Sequence, residues 1–321
     1  MTRLLVVGAV AFAAAVVLTP VAMAAATRAG VVDRPGPLKP QSAPVPYLGG
    51  VAVFLAALVG AALGHPAVIW PLAGAVALGV VDDRLGVPAA VRLGGQAAVG
   101  VGIALVVPTK VGGVGGGALV VVVAIVLMNG VNFLDGLDAL AAGVVAVACV
   151  AFALLLHGGA RDLAVAVAAA LAGFLIYNRP PAKVYLGDAG AYLLGAAMAL
   201  LLAEAWQRGT PSPVSVASLA IVAVPAGEVL FAVVRRLRAR QSITSGDRRH
   251  PYDLAVARGW PRAVAALAYI VVEAVFVAMA VAASKAHTLP GPIAAVTVAA
   301  VLSVAIAAAC GALAPGPRVP T

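Results

Sequence analysis

Charge is scarce in this chain: 10% of its 321 residues are Asp, Glu, Lys or Arg, against 63% that are hydrophobic. Mean hydropathy is +1.09. A soluble domain needs roughly a quarter to a third of its surface charged, so this composition excludes one. With so little soluble mass, nucleic-acid binding is excluded as well, despite a formal net charge of +9. Cysteine is nearly missing. Cys149 and Cys310 both sit inside apolar runs, which reads as packing and leaves no disulfide framework and no thiolate metal site.

Long apolar runs fill the rest. A helix needs about 20 apolar residues to cross the hydrocarbon of a bilayer. Charge-free windows 4–27, 40–81, 93–109, 111–134, 139–160, 163–178, 189–203, 209–227 and 286–317 supply that repeatedly. Window 40–81 is long enough for two spans turning at His65-Pro66, and 263–284 carries only Glu273. The expectation is an all-α, polytopic membrane protein with about ten or eleven spans, folded as one domain over residues 1–321. Ala22-Met23-Ala24 resembles a signal cleavage site, but Arg3 stands alone before the run. That run is longer than the roughly 7–15 residues of a signal h-region, so the segment reads as a span.

Five polar clusters interrupt the oil where one run ends or the next begins: Asp33–Lys39, Asp82–Arg92, Asn129–Asp138, Asn178–Asp188 and Arg235–Arg262. They hold eight of the twelve acidic residues. Counting Arg28 with the first, they also hold fifteen of the twenty-one Lys and Arg. By the positive-inside rule the clusters face the cytoplasm, and that spacing predicts one polar site on a single membrane face. Part of the basic excess, notably Arg235 and Arg236, reads as topogenic or as contact with anionic lipid.

Three clusters carry the chemistry. Asp82-Asp83 are adjacent carboxylates at the end of an apolar helix, where each costs about 2.5–3.5 kcal/mol if held at bilayer depth. They must be wet, paired or metal-bound. In Asn129-Gly-Val-Asn132-Phe-Leu-Asp135-Gly-Leu-Asp138 the polar residues recur every three positions, one stripe on a helix. Carboxamide and carboxylate oxygens are hard donors of the kind Mg²⁺ takes, completed by water and substrate phosphates. Gly187-Asp188-Ala189-Gly190 sets a carboxylate between glycines that let backbone approach a ligand. Against each stands a structural alternative: a solvated helix end, a cap at Asn129 or Asp188, or a tight turn. The three together on one face weigh toward a site.

This ordered set resembles the polyprenyl-phosphate N-acetylhexosamine-1-phosphate transferases. The resemblance covers nearly the whole chain: Pro46–Gly50, Asp82-Asp83, Arg92–Gln96, Asn129–Asp138, Pro180–Gly190 and Asp247–His250 match its motifs in order. The last loop lacks the histidine run of the muramoyl-pentapeptide branch, so the GlcNAc-type branch is the better match.

The resemblance implies that a polyprenyl phosphate (undecaprenyl or decaprenyl) attacks the β-phosphorus of a UDP-N-acetylhexosamine, most simply UDP-GlcNAc, and releases UMP. It implies Mg²⁺, with Mn²⁺ as a substitute, and a multi-pass enzyme of the plasma membrane, with a homodimer left open. Residue by residue, it makes Asn132 and Asp188 metal ligands. Asp82 and Asp83 become base, lipid-phosphate positioner or further metal support, and Asp135 joins them as a catalytic carboxylate. Arg92, Arg248 and His250 fall at pyrophosphate- or sugar-facing positions; Lys39, Leu137, Asp138, Asn178 and Tyr185 fall at substrate-binding ones.

The chain also departs from the family pattern. Gln41 and Tyr252 stand where His is common, Ala139 where Gly is, Ala191 where Ser is, and Glu228 where Asp is; Gly86 fills a position charged in some branches. An active enzyme with altered sugar or lipid preference accounts for these changes, as would a degenerate relative that binds lipid phosphate without turnover. A secondary transporter would need acids in mid-span and repeated halves. Only Glu228 and Glu273 are mid-span, and no inverted repeat is visible.

Overall fold

A computed structural model describes residues 2–35, 43–109, 115–207, 211–244 and 248–314. Lys39, Gln41 and Asp247 lie outside the described residues. The helices are α1 (Thr2–Arg28), α2 (Gly49–Gly64), α3 (Ile69–Leu85, led by a 3₁₀ turn at Pro66–Val68), α4 (Ala89–Val106), α5 (Gly116–Leu134), α6 (Leu140–Leu155) and α7 (Gly158–Asn178). There follow α8 (Gly187–Ala205), α9 (Pro213–Ile221), α10 (Ala223–Arg238), α11 (Pro251–Ala257), α12 (Arg262–Ser284) and α13 (Pro290–Ala309). A two-residue antiparallel pairing of Val32-Asp33 with Val45-Pro46 is the only sheet among the described residues.

Eight helices are long and apolar enough to span a bilayer, and α9 with α10, bent by 60° at Val222, makes a ninth span if read as one. α2 and α6 have 16 residues each, short of the length of a full crossing. They are apolar throughout and pack in the same bundle, so the apolar segments number eleven. The bend between α9 and α10 departs from a single span over 209–227. α10 also continues past Glu228 to Arg238, because that carboxylate is buried and paired rather than left at a helix end.

α8 is the axle. Almost all of it is buried, enclosed by α2, α3, α5 and α6. Its sequence explains the position: Gly, Ala and Leu line every face, with no charge between Asp188 and Glu204. Small residues on its neighbours complete the fit. Gly79 of α3 runs directly over the Asp188-Ala189 backbone, where a methyl group would collide with main-chain atoms. The polar clusters lie at the C-terminal ends of α1, α3, α5, α7 and α10 and the N-terminal ends of α2, α4, α6, α8 and α12. Alternating spans therefore bring them to one face of the bundle, as the sequence requires.

Candidate active site

The site begins with the end of α3. Asp83 accepts hydrogen bonds from the backbone N–H groups of Asp188 (2.9 Å) and Ala189 (3.2 Å), so it caps the first turn of α8 from another helix. Gly187 reaches this turn with φ of 68°, and a Cβ there would lie 2.7 Å from Asp83 Oδ2; only glycine permits both the backbone and the contact. Asp82 is buried. It accepts from the Tyr192 hydroxyl (2.6 Å) and the Val87 N–H (2.8 Å), and Arg92 Nη1 stands 3.6 Å from its Oδ2. The paired aspartates are thus paired with partners, and neither is a bare helix end.

Capping brings Asp188 to Asn132, whose Nδ2 donates to Asp188 Oδ1 at 2.5 Å. Among the described residues no three His, Cys, Asp or Glu side chains converge on a metal position. The donor chemistry nevertheless suits a hard divalent ion: turning the Asn132 amide over presents its carbonyl oxygen beside the carboxylate, and Mg²⁺ is held by one or two carboxylates with water and phosphate supplying the rest.

The polar stripe is only half helical. α5 ends at Leu134, so Asn129 and Asn132 share a helix face while Asp135 and Asp138 occupy the turn that follows. Asn129 is not a cap; it donates to Gln96 Oε1 (2.6 Å) and to the Ile125 carbonyl (2.8 Å). Asp135 keeps some exposure to the cleft. Burial by the surrounding protein pushes its carboxyl well above the usual carboxylate range, with Asp188, Asp83 and Asp138 adding repulsion and the Gly187 N–H opposing them.

Arg92, Asn132, Asp135, Arg248 and His250 line one cavity of about 620 Å³. Arg236, Arg262, Asp253, Tyr252 and Thr244 join them, and Leu93, Ile125, Val126, Val229 and Val233 form an apolar wall on α4, α5 and α10. Arg236 is nearly buried, with its guanidinium 5.4 Å above the Phe133 ring and Nη1 donating to the Ile243 carbonyl at 2.7 Å. Arg262 donates to the Gly136 carbonyl (3.1 Å). The cleft is therefore amphipathic: guanidinium, carboxamide and carboxylate groups share it with a hydrocarbon face.

The remaining expected substrate residues form the support behind this cleft. Asn178 accepts from the Ala139 N–H (3.0 Å) and donates to the Val184 carbonyl (2.8 Å), and Asp138 accepts from the Ala182 N–H (3.0 Å). Both tie the Pro180–Lys183 segment to the α5–α6 turn. Leu137, in that turn, is buried. Tyr185 packs near Tyr47, ring centroids 6.2 Å apart, and burial raises its phenol to about 12; it stays a neutral donor.

Several contributors escape sequence reasoning. Arg236 is hidden inside a basic run that reads as topogenic. Tyr192, the partner of Asp82, lies one turn after Asp188 on the same face of α8, a spacing that points to it. Glu228 attracts notice as a mid-span acid, but its partner is 22 residues away: His250 Nδ1 lies 2.6 Å from Glu228 Oε2.

A bundle of eight membrane-length helices with a charged cleft walled on one side by hydrocarbon is a multi-pass membrane protein with a polar site. Comparison with known proteins narrows the class: residues 65–205 match the model of glycosyl transferase family 4. The decaprenyl-phosphate N-acetylglucosaminephosphotransferase of Mycobacterium tuberculosis (strain ATCC 25618 / H37Rv) is 32% identical over 285 residues, 70% of this chain and 69% of the relative. The probable undecaprenyl-phosphate N-acetylglucosaminyl 1-phosphate transferase of Bacillus subtilis (strain 168) is 28% identical, covering 86% and 84%. The undecaprenyl-phosphate alpha-N-acetylglucosaminyl 1-phosphate transferase of Escherichia coli (strain K12) is 28% identical, covering 83% and 80%. This chain belongs to glycosyl transferase family 4 and is a transferase.

Proposed function

We propose that the protein transfers N-acetylglucosamine 1-phosphate from UDP-GlcNAc to a polyprenyl phosphate, with Mg²⁺ and release of UMP, at the cytoplasmic face of the plasma membrane. One observation supports this reading above the others: four arginines and Asn132 line the cleft with an apolar wall, and Asp188 stands behind Asn132, hydrogen-bonded to it. A polyprenyl phosphate has that same division between anionic head and hydrocarbon tail. The names of the relatives specify such an acceptor and a GlcNAc-phosphate group.

The chemistry needs alignment and charge neutralisation more than proton transfer, because nucleophile and leaving group are both phosphate oxygens. A bound Mg²⁺ would supply Lewis-acid stabilisation of the pyrophosphate, held by Asp188 and Asn132. Leu93, Ile125, Val126 and Val229 receive the first prenyl units. Arg92, Arg236 and Arg248 face the phosphates, where a planar fork grips two oxygens at once. Asp82 and Asp83 position Arg92 and the first turn of α8, and their engaged oxygens argue against a role as general base. Asp135 and Asp253 are the carboxylates that line the cleft itself.

Membranes containing the protein, given labelled UDP-GlcNAc and undecaprenyl or decaprenyl phosphate, should form a labelled lipid that chelation prevents and Mg²⁺ restores. Absence of lipid-linked sugar with either acceptor overturns the reading.

A further inference from the structure

His250 is locked on three sides. Its ring stacks on Tyr252 (centroids 5.5 Å, planes 8° apart) and leans on Phe133 at 5.0 Å. Nδ1 lies 2.6 Å from Glu228 Oε2, and the other carboxylate oxygen accepts the Tyr269 hydroxyl at 2.5 Å. Glu228 and His250 are 1% and 4% exposed, so both are removed from water while the imidazole still borders the cleft. The groups facing the pair are Tyr269 from α12, Tyr252 and Asp253 from α11, Arg248 just before it and Arg236 across Phe133, with Arg258 at the end of α11 and Cys310 at the end of α13 lining the cavity that Glu228 borders on its other side. Burial keeps the Tyr252 phenol well above its usual value, so it adds no charge.

The hydrogen-bond inventory of imidazole restricts what this arrangement can do. With Nδ1–H given to a carboxylate, a neutral ring has a bare Nε2 that accepts and cannot donate. Only the imidazolium offers Nε2–H to an anion, and a buried imidazolium needs a counter-charge. Glu228 is that counter-charge.

Resting on the function above, we propose that Glu228 is a positioning residue: it fixes the His250 ring through Nδ1 and holds it as the imidazolium that donates Nε2–H to a phosphate oxygen of the substrate. His250 does the touching; Glu228 acts through it.

The test is the pH profile of kcat/KM with purified enzyme, UDP-GlcNAc and undecaprenyl phosphate. Activity that depends on an imidazolium is lost on the alkaline side of the profile. Glu228→Gln still accepts from Nδ1–H but no longer offsets the charge, so its alkaline limb should move to lower pH, with a loss of tenfold or more at about pH 8 and a smaller loss at about pH 6. Glu228→Asp keeps the charge and should recover part of the alkaline activity. Should Glu228→Gln fail to fold in detergent, Tyr269→Phe substitutes: removing a donor from Glu228 strengthens its hold on the imidazolium and moves the limb upward. An unmoved limb in Glu228→Gln, or in Tyr269→Phe where that variant substitutes, overturns the positioning role while the functional reading stands. A wild-type enzyme that forms no lipid-linked sugar overturns both.

Discussion

Asp83 holds the first turn of α8 through the backbone of Asp188, 105 residues away, with one carboxylate oxygen on the Asp188 N–H and the other on that of Ala189. One of the two adjacent aspartates is therefore an inter-helix cap, and it fixes the direction in which the Asp188 side chain leaves the helix. Asp83→Asn replaces one of these acceptors with an NH₂ group facing an N–H. We expect a loss of about 1–3 kcal/mol in stability together with a fall in turnover. Thermal unfolding in detergent beside a transfer assay checks this; a variant that loses activity at unchanged stability would return Asp83 to a direct catalytic role.

Asp188 and Asn132 should behave in the opposite way. With the Asn132 amide turned over, both would offer an oxygen to one metal ion, and neither carboxamide nor carboxylate caps a helix, so Asp188→Asn and Asn132→Ala should abolish turnover and leave folding intact. Weakened Mn²⁺ binding, read by paramagnetic resonance on the purified protein, separates a metal role from a substrate role. Full Mg²⁺-dependent activity in either variant sinks the metal assignment.

Much of this arrangement is legible in the sequence. Hydropathy finds the eleven apolar segments because bilayer thickness sets their length without reference to neighbours. It ends the ninth segment early because Glu228 counts as a charge, whereas in the fold His250 and Tyr269 satisfy it inside the protein. The Asn129–Asp138 stripe is expected to be helical throughout, but the helix stops at Leu134, since a three-residue period fits a helix and the following turn equally well. The capping by Asp83 and the Glu228–His250 pair are contacts between distant segments, and no local pattern encodes them.

Ala139 marks a position where the family commonly has glycine, and the reason is visible: it opens α6 with φ of 65°. Arg240 repeats the problem at φ of 54°, as the residue after the cap of α10, where Arg240 N–H bonds the Leu237 carbonyl and Gln241 N–H the Arg236 carbonyl. A left-handed L-residue costs about 1–2 kcal/mol, offset in part by the chain entropy of glycine. Ala139→Gly and Arg240→Gly should each raise stability by about 0.5–1 kcal/mol, seen as a higher unfolding temperature; a decrease in either would contradict the backbone reading.

Orientation is testable without activity. Ala90 is exposed at the N-terminal end of α4, beside the cleft, and His157 is exposed at the N-terminal end of α7, on the opposite face of the bundle. In intact cells, with Cys149 and Cys310 replaced, a cysteine at His157 should react with an impermeant thiol reagent and one at Ala90 should not. Labelling at Ala90 alone would invert the topology.

Three arginines that the sequence presents within one topogenic run do different work in the fold. Arg235 is buried and donates to the Ala312 carbonyl (3.1 Å), and exposed Arg238 donates to the Leu313 carbonyl (3.1 Å); both grip the segment that follows α13. Arg236 turns the other way, over Phe133 and into the cleft. Lysine keeps the charge that governs topology but loses the planar fork and the stacking. Arg236→Lys should therefore lower kcat/KM by about tenfold or more, a loss of about 1.4 kcal/mol in transition-state binding, at near-normal stability. Arg235→Lys should lower the unfolding temperature and leave kcat/KM within about twofold for the protein that remains folded. Arg238→Lys should change neither, because an exposed hydrogen bond is readily replaced by water. Equal behaviour of all three would reduce the run to topology and remove Arg236 from the site.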